Sequence, residues 1–226
     1  MKINAIITGA TGMVGKCVLL TCLQNEHVES VLIINRKPSG LTHPKLKEII
    51  HSDFYNLEPI SSQLKGYNAC YFCLGVSALR MKEADYKRIT YDLTLQFANT
   101  FLAMNPDSTF CYVSGQSTDE TEQGNQMWAR VKGATENALL ALPFKAAYMF
   151  RPGYIQPLKG VRSSTSWYNA LYSIVKPLYP ILKSVFPGSV TSGKQLGLAM
   201  INSVLTGYEK KRLENRDINL LASKSH

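Results

Sequence analysis

The chain has 226 residues, of which 45% are hydrophobic and 18% charged, and its formal net charge is +9. This composition is typical of a globular protein and excludes an intrinsically disordered one, and the length suits a single α/β domain. The basic residues are scattered and not interleaved with aromatic ones, so we expect a small anionic ligand and no nucleic-acid partner.

Short, nearly continuous apolar runs alternate with helical patterns along the first two thirds of the chain. The predicted strands cover residues 2–8, 30–34, 46–50, 69–74, 109–114 and 146–150. The predicted helices run from the glycine turn to about residue 25, over 83–104 and over 126–142. This alternation predicts a doubly wound parallel sheet, the Rossmann type of α/β fold, with helices on both faces.

The pattern changes after about residue 155. A helix is predicted over residues 192–205 and a short strand over 217–221. We expect residues 1–226 to form one domain, with a dinucleotide-binding core over about 1–155. Residues 156–226 would then form a small, irregular and mainly helical cap that binds substrate.

Residues 167–186 are rich in aromatic and aliphatic side chains, interrupted by two prolines and two lysines that exclude a membrane-spanning helix. Three interpretations stay open for this segment: a cap packed on the sheet, a lipophilic substrate pocket or protein-partner interface, or a membrane-surface contact. Neither a secretory signal nor a long apolar run is visible, which predicts a cytoplasmic protein. The five cysteines are expected to be reduced core thiols, and no metal site is predicted.

A glycine-rich turn follows the first predicted strand. It reads Gly9-Ala10-Thr11-Gly12-Met13-Val14-Gly15 and leads directly into an amphipathic helix. Such a turn lets the main chain approach a pyrophosphate closely and aims the free N–H groups and dipole of the helix at the anion. The sequence therefore predicts a dinucleotide bound over Gly9, Thr11, Gly12, Met13 and Val14.

The spacing of these glycines resembles the atypical, extended and epimerase-like branch of the short-chain dehydrogenase/reductase superfamily, and the resemblance covers nearly the whole chain. The other segments that carry it are Asp53-Phe54, Cys73-Leu74-Gly75, Tyr112-Val113-Ser114, Phe150-Arg151-Pro152-Gly153 and Lys194–Met200. The resemblance implies that Asp53 and Phe54 contact the adenine and that Leu74 and Gly75 lie under the ribose and pyrophosphate. It also implies that the nicotinamide is flanked by Pro152, Gly153, Tyr154 and Ile155.

The residues after the second strand indicate which dinucleotide is bound. An NAD-preferring site carries an acid about 20 residues past the last glycine, where this chain has Asn35, followed by Arg36 and Lys37. A guanidinium would pair with a 2′-phosphate that an acid would repel. NADP(H) is therefore predicted, with NAD accepted through Asn35 as the alternative.

The catalytic half of the family pattern is altered. Reductases of the superfamily use a Tyr-x-x-x-Lys pair and a hydroxyl that positions the carbonyl, and this chain has Trp128 before Lys132. An indole N–H cannot exchange a proton near neutral pH. Lys132 is expected to hold the nicotinamide ribose, with Ser114 and Gln116 near the carbonyl. Substitute proton donors would be Tyr154 or, less directly placed, Tyr91.

Two hypotheses follow. In the first, the chain is an NADP(H)-dependent oxidoreductase or epimerase relative that acts on an unknown small carbonyl or hydroxyl compound. In the second, it is a catalytically impaired regulatory or scaffold protein that binds NADP(H) without turnover.

Overall fold

The computed structural model describes residues 1–161 and 188–224 of the chain. The strands in these ranges are β1 (Ile3–Thr8), β2 (Val28–Asn35), β3 (Leu46–Ile50), β4 (Ala69–Phe72), β5 (Thr109–Val113), β6 (Ala146–Arg151), β7 (Tyr154–Gln156), β8 (Val190–Ser192) and β9 (Arg212–Glu214). The α-helices are α1 (Met13–Gln24), α2 (Glu83–Lys87), α3 (Leu93–Met104), α4 (Met127–Ala141), α5 (Gly193–Thr206) and α6 (Asn215–Ala222). A 3-10 helix covers Glu58–Leu64, and a π-helical segment, Arg88–Asp92, joins α2 to α3.

Seven of these strands form one parallel sheet in the order β3-β2-β1-β4-β5-β6-β9. The order confirms the predicted doubly wound fold. The chain moves outward from β1 to β3 and then returns to β4 on the other side of β1. The two central strands end level with each other, because Thr8 is paired with Phe72. In such sheets the crevice at this reversal, outside the carboxyl ends of the strands, is where ligands bind.

Helices cover the described part of the sheet on both faces, as the continuous apolar strands predict. On one face Ile7 of β1 belongs to a buried cluster with Leu19 of α1 and Leu196 of α5. On the other face Ile6 packs in a second cluster with Phe97 of α3 and Leu139 of α4. Neighbouring residues of β1 therefore pack into the cores on opposite faces of the sheet, and this packing fixes the position of the strand end.

The C-terminal part differs from the prediction at one element. The helix expected over residues 192–205 is confirmed as α5, but the strand expected over 217–221 is wrong, because these residues lie in helix α6. Ile218 and Leu221 are buried at helical spacing, and the Asp217 carboxylate accepts a hydrogen bond from the Glu214 N–H at 3.1 Å. The strand of this region is β9, which extends the main sheet beside β6.

The aromatic segment 167–186 lies outside the described residues, so its three interpretations stay predictions. Within 1–161 and 188–224, no helix is long and apolar enough to cross a membrane. The expected burial of the cysteines is confirmed for Cys17, Cys22, Cys70 and Cys111, whereas Cys73 is partly exposed at the end of β4. Burial raises the pKa of the Cys111 thiol to about 12, against a smaller opposite effect of the Ser203 hydroxyl.

Candidate nucleotide-binding and catalytic site

The glycine turn connects β1 to α1 at the crevice. Gly9 has a φ of +69°, and a Cβ atom placed on it would lie 2.7 Å from the carbonyl oxygen of Cys73, just beyond β4. The Gly12 N–H donates to the Gly9 carbonyl at 2.9 Å. A Cβ on Gly15 would overlap the same carbonyl oxygen. The turn is therefore closed to side chains at two of its three glycines.

Helix α1 begins at this turn with free donors. Gly12 is its N-cap, no side chain of the described residues caps it, and its first turn holds no acidic residue. Thr11 is exposed, and Met13 and Val14 are partly buried at the same corner. Uncapped amides and the positive end of the helix dipole fit a phosphate group.

The end of β2 carries both basic residues and a carboxylate that sequence reasoning missed. Arg36 and Lys37 are exposed directly after β2. The Asn35 side chain donates to the Glu48 carboxylate at 2.8 Å, and the Ser39 N–H donates to the same oxygen at 2.9 Å. Although desolvation opposes ionisation of Glu48, these hydrogen bonds lower its pKa. Glu48 lies on β3, so spacing from the glycine turn could not reveal it.

The two residues predicted to contact adenine have different environments. Phe54 is buried, with its ring centroid 6.4 Å from that of Phe97 and 6.3 Å from that of His51. Asp53 is exposed, and its carboxylate accepts a hydrogen bond from the Tyr55 N–H at 2.9 Å. The Phe54 side chain thus anchors the loop after β3 to the core. Adenine contact by these two residues stays a prediction.

A cleft of about 800 Å³ lies at the carboxyl edge of the sheet, and we call it the edge cleft. It is lined by the loops after β4, β5 and β6 and by α2 and α4. Its lining residues are Val76, Ser77, Ala78, Leu79, Arg80, Tyr86, Gly115, Gln116, Ser117, Gln126, Met127, Trp128, Lys132, Pro152 and Gly153. The structure therefore brings five of the residues singled out from sequence into one space: Gln116, Trp128, Lys132, Pro152 and Gly153.

Lys132 lies one helical turn after Trp128 on α4 and is partly buried. Its ammonium group donates a hydrogen bond to the Ser114 carbonyl at the end of β5. Burial lowers the pKa of Lys132 to about 8, although the Glu136 carboxylate acts in the opposite direction. The lysine is therefore held at the cleft with a proton that it can release near physiological pH.

The structure differs from the prediction for Ser114. Its side chain is buried and is not among the lining residues of the edge cleft. The hydroxyl donates to the Glu136 carboxylate at 2.5 Å and lies 3.2 Å from the Phe150 carbonyl. Because this proton is committed to Glu136, Ser114 orders the main chain that holds Lys132 and does not position a substrate carbonyl.

The other predicted residues are placed as follows. The Gln116 N–H donates to the Pro152 carbonyl at 2.9 Å, and a Cβ on Gly153 would lie 2.6 Å from the Gln116 side-chain oxygen. Tyr154 is outside the cleft lining and donates its hydroxyl hydrogen bond to Gln156 at 3.0 Å. Three more residues were predicted to contact the coenzyme. Of these, Ile155 is buried in the core, Leu74 is partly buried and Gly75 is exposed.

Sequence reasoning missed Tyr86. This tyrosine lies on α2, is 2% exposed and lines the edge cleft together with Trp128 and Lys132. The sequence predicts a helix over 83–104 but does not show which of its faces meets α4. Tyr91, the weaker substitute donor, lines a different pocket and places its ring 5.5 Å from the Lys87 ammonium.

No family model matches the chain. A mitochondrial protein of Scheffersomyces stipitis named FMP52-1 is 24% identical over 213 residues, which cover 92% of this chain and 90% of that protein. The rat protein HTATIP2 is 23% identical over 67% of this chain and 62% of its own length.

Solved structures share the architecture at low identity. A short-chain dehydrogenase family protein of Francisella tularensis superposes with a TM-score of 0.62 at 16% identity, covering 92% of this chain and 93% of its own. A UDP-N-acetylglucosamine 4-epimerase of Methanobrevibacter ruminantium gives 0.66 at 16% identity, covering 92% and 75%. The protein MoeE5, in complex with UDP-glucose and NAD, gives 0.64 at 14% identity, covering 92% and 74%.

The chain therefore has the fold of short-chain dehydrogenase and epimerase structures. Against the Tyr-x-x-x-Lys pattern of the superfamily that the sequence resembles, this chain has Lys132 at the lysine position and Trp128 in place of the tyrosine.

The predicted cytoplasmic location is wrong in the light of these relatives. Four relatives of the chain, fungal proteins named FMP52 or FMP52-1, are named as mitochondrial. The prediction was based on a missing secretory signal, and that criterion does not distinguish the cytosol from an organelle.

Proposed function

We propose that this chain binds NADP(H) across the reversal of its sheet and transfers hydride between the coenzyme and a small carbonyl or hydroxyl compound. The observation that carries the proposal is the combination of the glycine turn with the edge cleft. The turn offers uncapped amides to a pyrophosphate. Lys132 lies at the same edge of the sheet, where its ammonium group donates to the Ser114 carbonyl just after β5.

The residues around the turn fit a dinucleotide. Gly9 and Gly15 leave no room for side chains, so the main chain itself would form the floor under the phosphates. Arg36 and Lys37 are exposed beyond β2 and would bind a 2′-phosphate. The Glu48 carboxylate accepts a hydrogen bond from Asn35, the residue before Arg36. The relative affinities for NADP and NAD therefore test how these residues act on the coenzyme.

The cleft residues would orient and polarise the reacting groups. A nicotinamide coenzyme, when bound, supplies the hydride. Lys132 would hold the ribose and place positive charge near the developing alkoxide. Gln116, set by its N–H bond to the Pro152 carbonyl, would donate from its side-chain amide to the substrate oxygen.

A second candidate function is favoured by Trp128, which lines the cleft where the superfamily has its catalytic tyrosine. In this alternative the chain binds NADP(H) and responds to it without turnover. Both candidates require the coenzyme site, and they differ only in the fate of the hydride.

Steady-state assays with NADPH and a panel of small aldehydes and ketones separate the two candidates. The proposed enzyme oxidises NADPH with at least one of them, and Lys132→Ala lowers kcat/KM by at least about 100-fold. The matched control is Lys145→Ala, which removes an exposed lysine outside the cleft lining. Saturable NADPH binding without turnover on any compound would support the regulatory candidate.

A further inference from the structure

We propose that Tyr86 is the proton donor and acceptor of the edge cleft and replaces the hydroxyl that is lost at Trp128. The inference rests on the proposed function, because it assigns a catalytic residue to the same site. What points to Tyr86 is its place on the cleft wall, on helix α2, which packs against the helix that carries Trp128 and Lys132.

Tyr86 is held in that place by several contacts. Its N–H donates to the Lys82 carbonyl at 3.0 Å in the first turn of α2. Glu83, three residues earlier and on the same side of the helix, accepts a hydrogen bond from Arg130 at 2.8 Å. Arg130 also donates to the Gly124 carbonyl at 2.7 Å. This arrangement fixes α2 against α4 at the level of Trp128.

The π-helical segment after α2 supports the same placement. Tyr86, Thr90 and Thr94 are all buried and follow each other at intervals of four residues. The π-helical segment Arg88–Asp92 has a wider turn, which keeps these three residues on the face that packs toward α4. The chain resumes α-helical geometry in α3. π-helical turns inside longer helices occur frequently at functional sites. Here the π-helical segment begins two residues after Tyr86.

Few of the lining residues can exchange a proton near neutral pH. The serine hydroxyls and the side-chain amides of the cleft are too weakly acidic, and Trp128 offers only an indole N–H. Tyr86 supplies a phenol and Lys132 an ammonium group. Lys132 is committed in part to the Ser114 carbonyl, so the two residues divide the work as tyrosine and lysine do elsewhere in the superfamily.

The charged and titratable groups around Tyr86 favour such a role. Its own helix and the N-cap of that helix carry Lys82, Glu83, Asp85 and Lys87, and α4 contributes Arg130 and Lys132. Tyr112 of β5 lies within electrostatic range, and burial raises its pKa, with the charges of Tyr86 and Glu136 acting in the same direction. Tyr112 therefore keeps its proton. These four cations outnumber the two carboxylates, Glu83 and Asp85, and their charges favour a tyrosinate at Tyr86.

The proton balance of the step is simple. In reduction, the Tyr86 O–H bond breaks and its proton goes to the substrate carbonyl oxygen, while the carbonyl carbon receives the hydride that the coenzyme supplies. The product is an alcohol and the oxidised coenzyme. Tyr86 then regains a proton from water that enters the open cleft, and oxidation of an alcohol runs through the same steps in reverse.

The test compares Tyr86→Phe with Tyr91→Phe, which removes a hydroxyl from the adjoining π-helical segment outside the cleft lining. Calorimetry is expected to give the same NADPH affinity for both variants and the wild type. With a carbonyl compound that the wild type reduces, kcat is expected to fall by at least about 100-fold in Tyr86→Phe and to stay unchanged in Tyr91→Phe. An unchanged kcat in Tyr86→Phe would overturn the proposal and leave Lys132 as the donor.

Two further measurements exclude a merely structural effect. Near-ultraviolet titration of tyrosinate, with NADP⁺ bound, is expected to show one ionisation that precedes those of the other tyrosines, is missing from Tyr86→Phe and is present in Tyr91→Phe. Adding Trp128→Tyr to Tyr86→Phe is expected to restore turnover, because it returns a phenol to the superfamily's position. If the early ionisation persisted in Tyr86→Phe, Tyr86 would not be the titrating residue.

These outcomes are distinct from a failure of the proposed function. Should the wild type bind no coenzyme, the proposed function and the role of Tyr86 would both fall. Should it bind NADPH and turn over no carbonyl compound, the tyrosinate titration alone decides. An early ionisation that depends on Tyr86 then supports a phenol poised in the cleft, and its absence contradicts one.

Discussion

The Arg151 guanidinium donates hydrogen bonds to both oxygens of the Glu136 carboxylate, with its Nε 3.0 Å from Oε1 and its Nη2 2.5 Å from Oε2. The Glu136 side chain is fully buried. Ser114 and Arg212 donate to the same carboxylate, at 2.5 and 3.3 Å. Burial alone would lower the pKa of Arg151, but its contacts with Glu136 and Glu214 raise it above the ordinary value. The pair thus joins α4, β5, β6 and β9 behind the cleft.

Removing one partner of this pair is expected to be costly. Glu136→Ala removes the buried carboxylate partner of a largely buried guanidinium and leaves it only the more exposed Glu214 and Glu120. The free energy of unfolding is expected to fall by about 3–5 kcal/mol. Urea denaturation followed by circular dichroism measures it. As control, Lys210→Ala breaks the more exposed 2.8 Å pair with Asp217 and is expected to cost at most about 1 kcal/mol. Equal losses in the two variants would contradict a special role of Glu136.

Lys132 gives the protein a characteristic pH dependence. Its pKa is about 8 in the folded chain, against 10.5 ordinarily. Between these values the unfolded chain binds more protons than the folded one, so the contribution of Lys132 to stability increases as pH rises from about 8 to about 10. Lys132→Met is expected to remove this contribution.

The measurement for Lys132 is the free energy of unfolding at about pH 7.5 and pH 10 in both proteins. Relative to Lys132→Met, the wild type is expected to gain stability at the higher pH. Lys145→Met, at an exposed site, serves as the control and is expected to follow the wild type. Parallel pH profiles for the wild type and Lys132→Met would show that the lysine titrates normally.

The alternation of apolar strands and helices was enough to predict the sheet and its two covered faces. Residues 217–221 escaped this reasoning because Ile218 and Leu221 belong to a short helix of which a five-residue window shows little more than one turn. Its stability comes from the capping box between Glu214 and Asp217, which depends on where β9 ends. Local patterns alone cannot fix an element whose ends are set by tertiary contacts.

The candidate site was predictable where chemistry depends on the main chain and less so where it depends on side-chain direction. The spacing of Gly9, Gly12 and Gly15 predicts a phosphate-binding turn. Ser114 and Tyr86 could not be assigned in the same way, because a strand end or a long helix offers a side chain two or more directions. Packing against Glu136 turns Ser114 away from the cleft, and the α2–α4 contact turns Tyr86 into it.

The close approach at the glycine turn can be separated from backbone strain. Gly9 and Gly40 share a φ of +69°, but a Cβ on Gly9 would meet the Cys73 carbonyl, whereas a Cβ on Gly40 meets nothing within 4 Å. Gly40→Ala is expected to cost about 1 kcal/mol of stability through its backbone conformation alone. Gly9→Ala is expected to cost more and to abolish coenzyme binding, as measured by denaturation and calorimetry. Equal effects of the two variants would show that the Gly9 contact is not needed.

Coenzyme preference is expected to depend on Arg36. Arg36→Ala removes the exposed guanidinium after β2 and should weaken NADP⁺ binding by about 10-fold or more while leaving NAD⁺ binding unchanged, because only NADP⁺ has the 2′-phosphate. The exposed Lys65, which follows the 3-10 helix, provides the control variant Lys65→Ala. Equal weakening of both coenzymes would indicate that Arg36 binds a part of the dinucleotide common to both.

The most direct measurement is calorimetric titration of the purified wild-type chain with NADPH and, separately, with NADH. The account predicts saturable binding of both at one site per chain, with NADPH the tighter ligand. Heats that never saturate with either coenzyme would contradict the coenzyme site and, with it, the function proposed for the cleft.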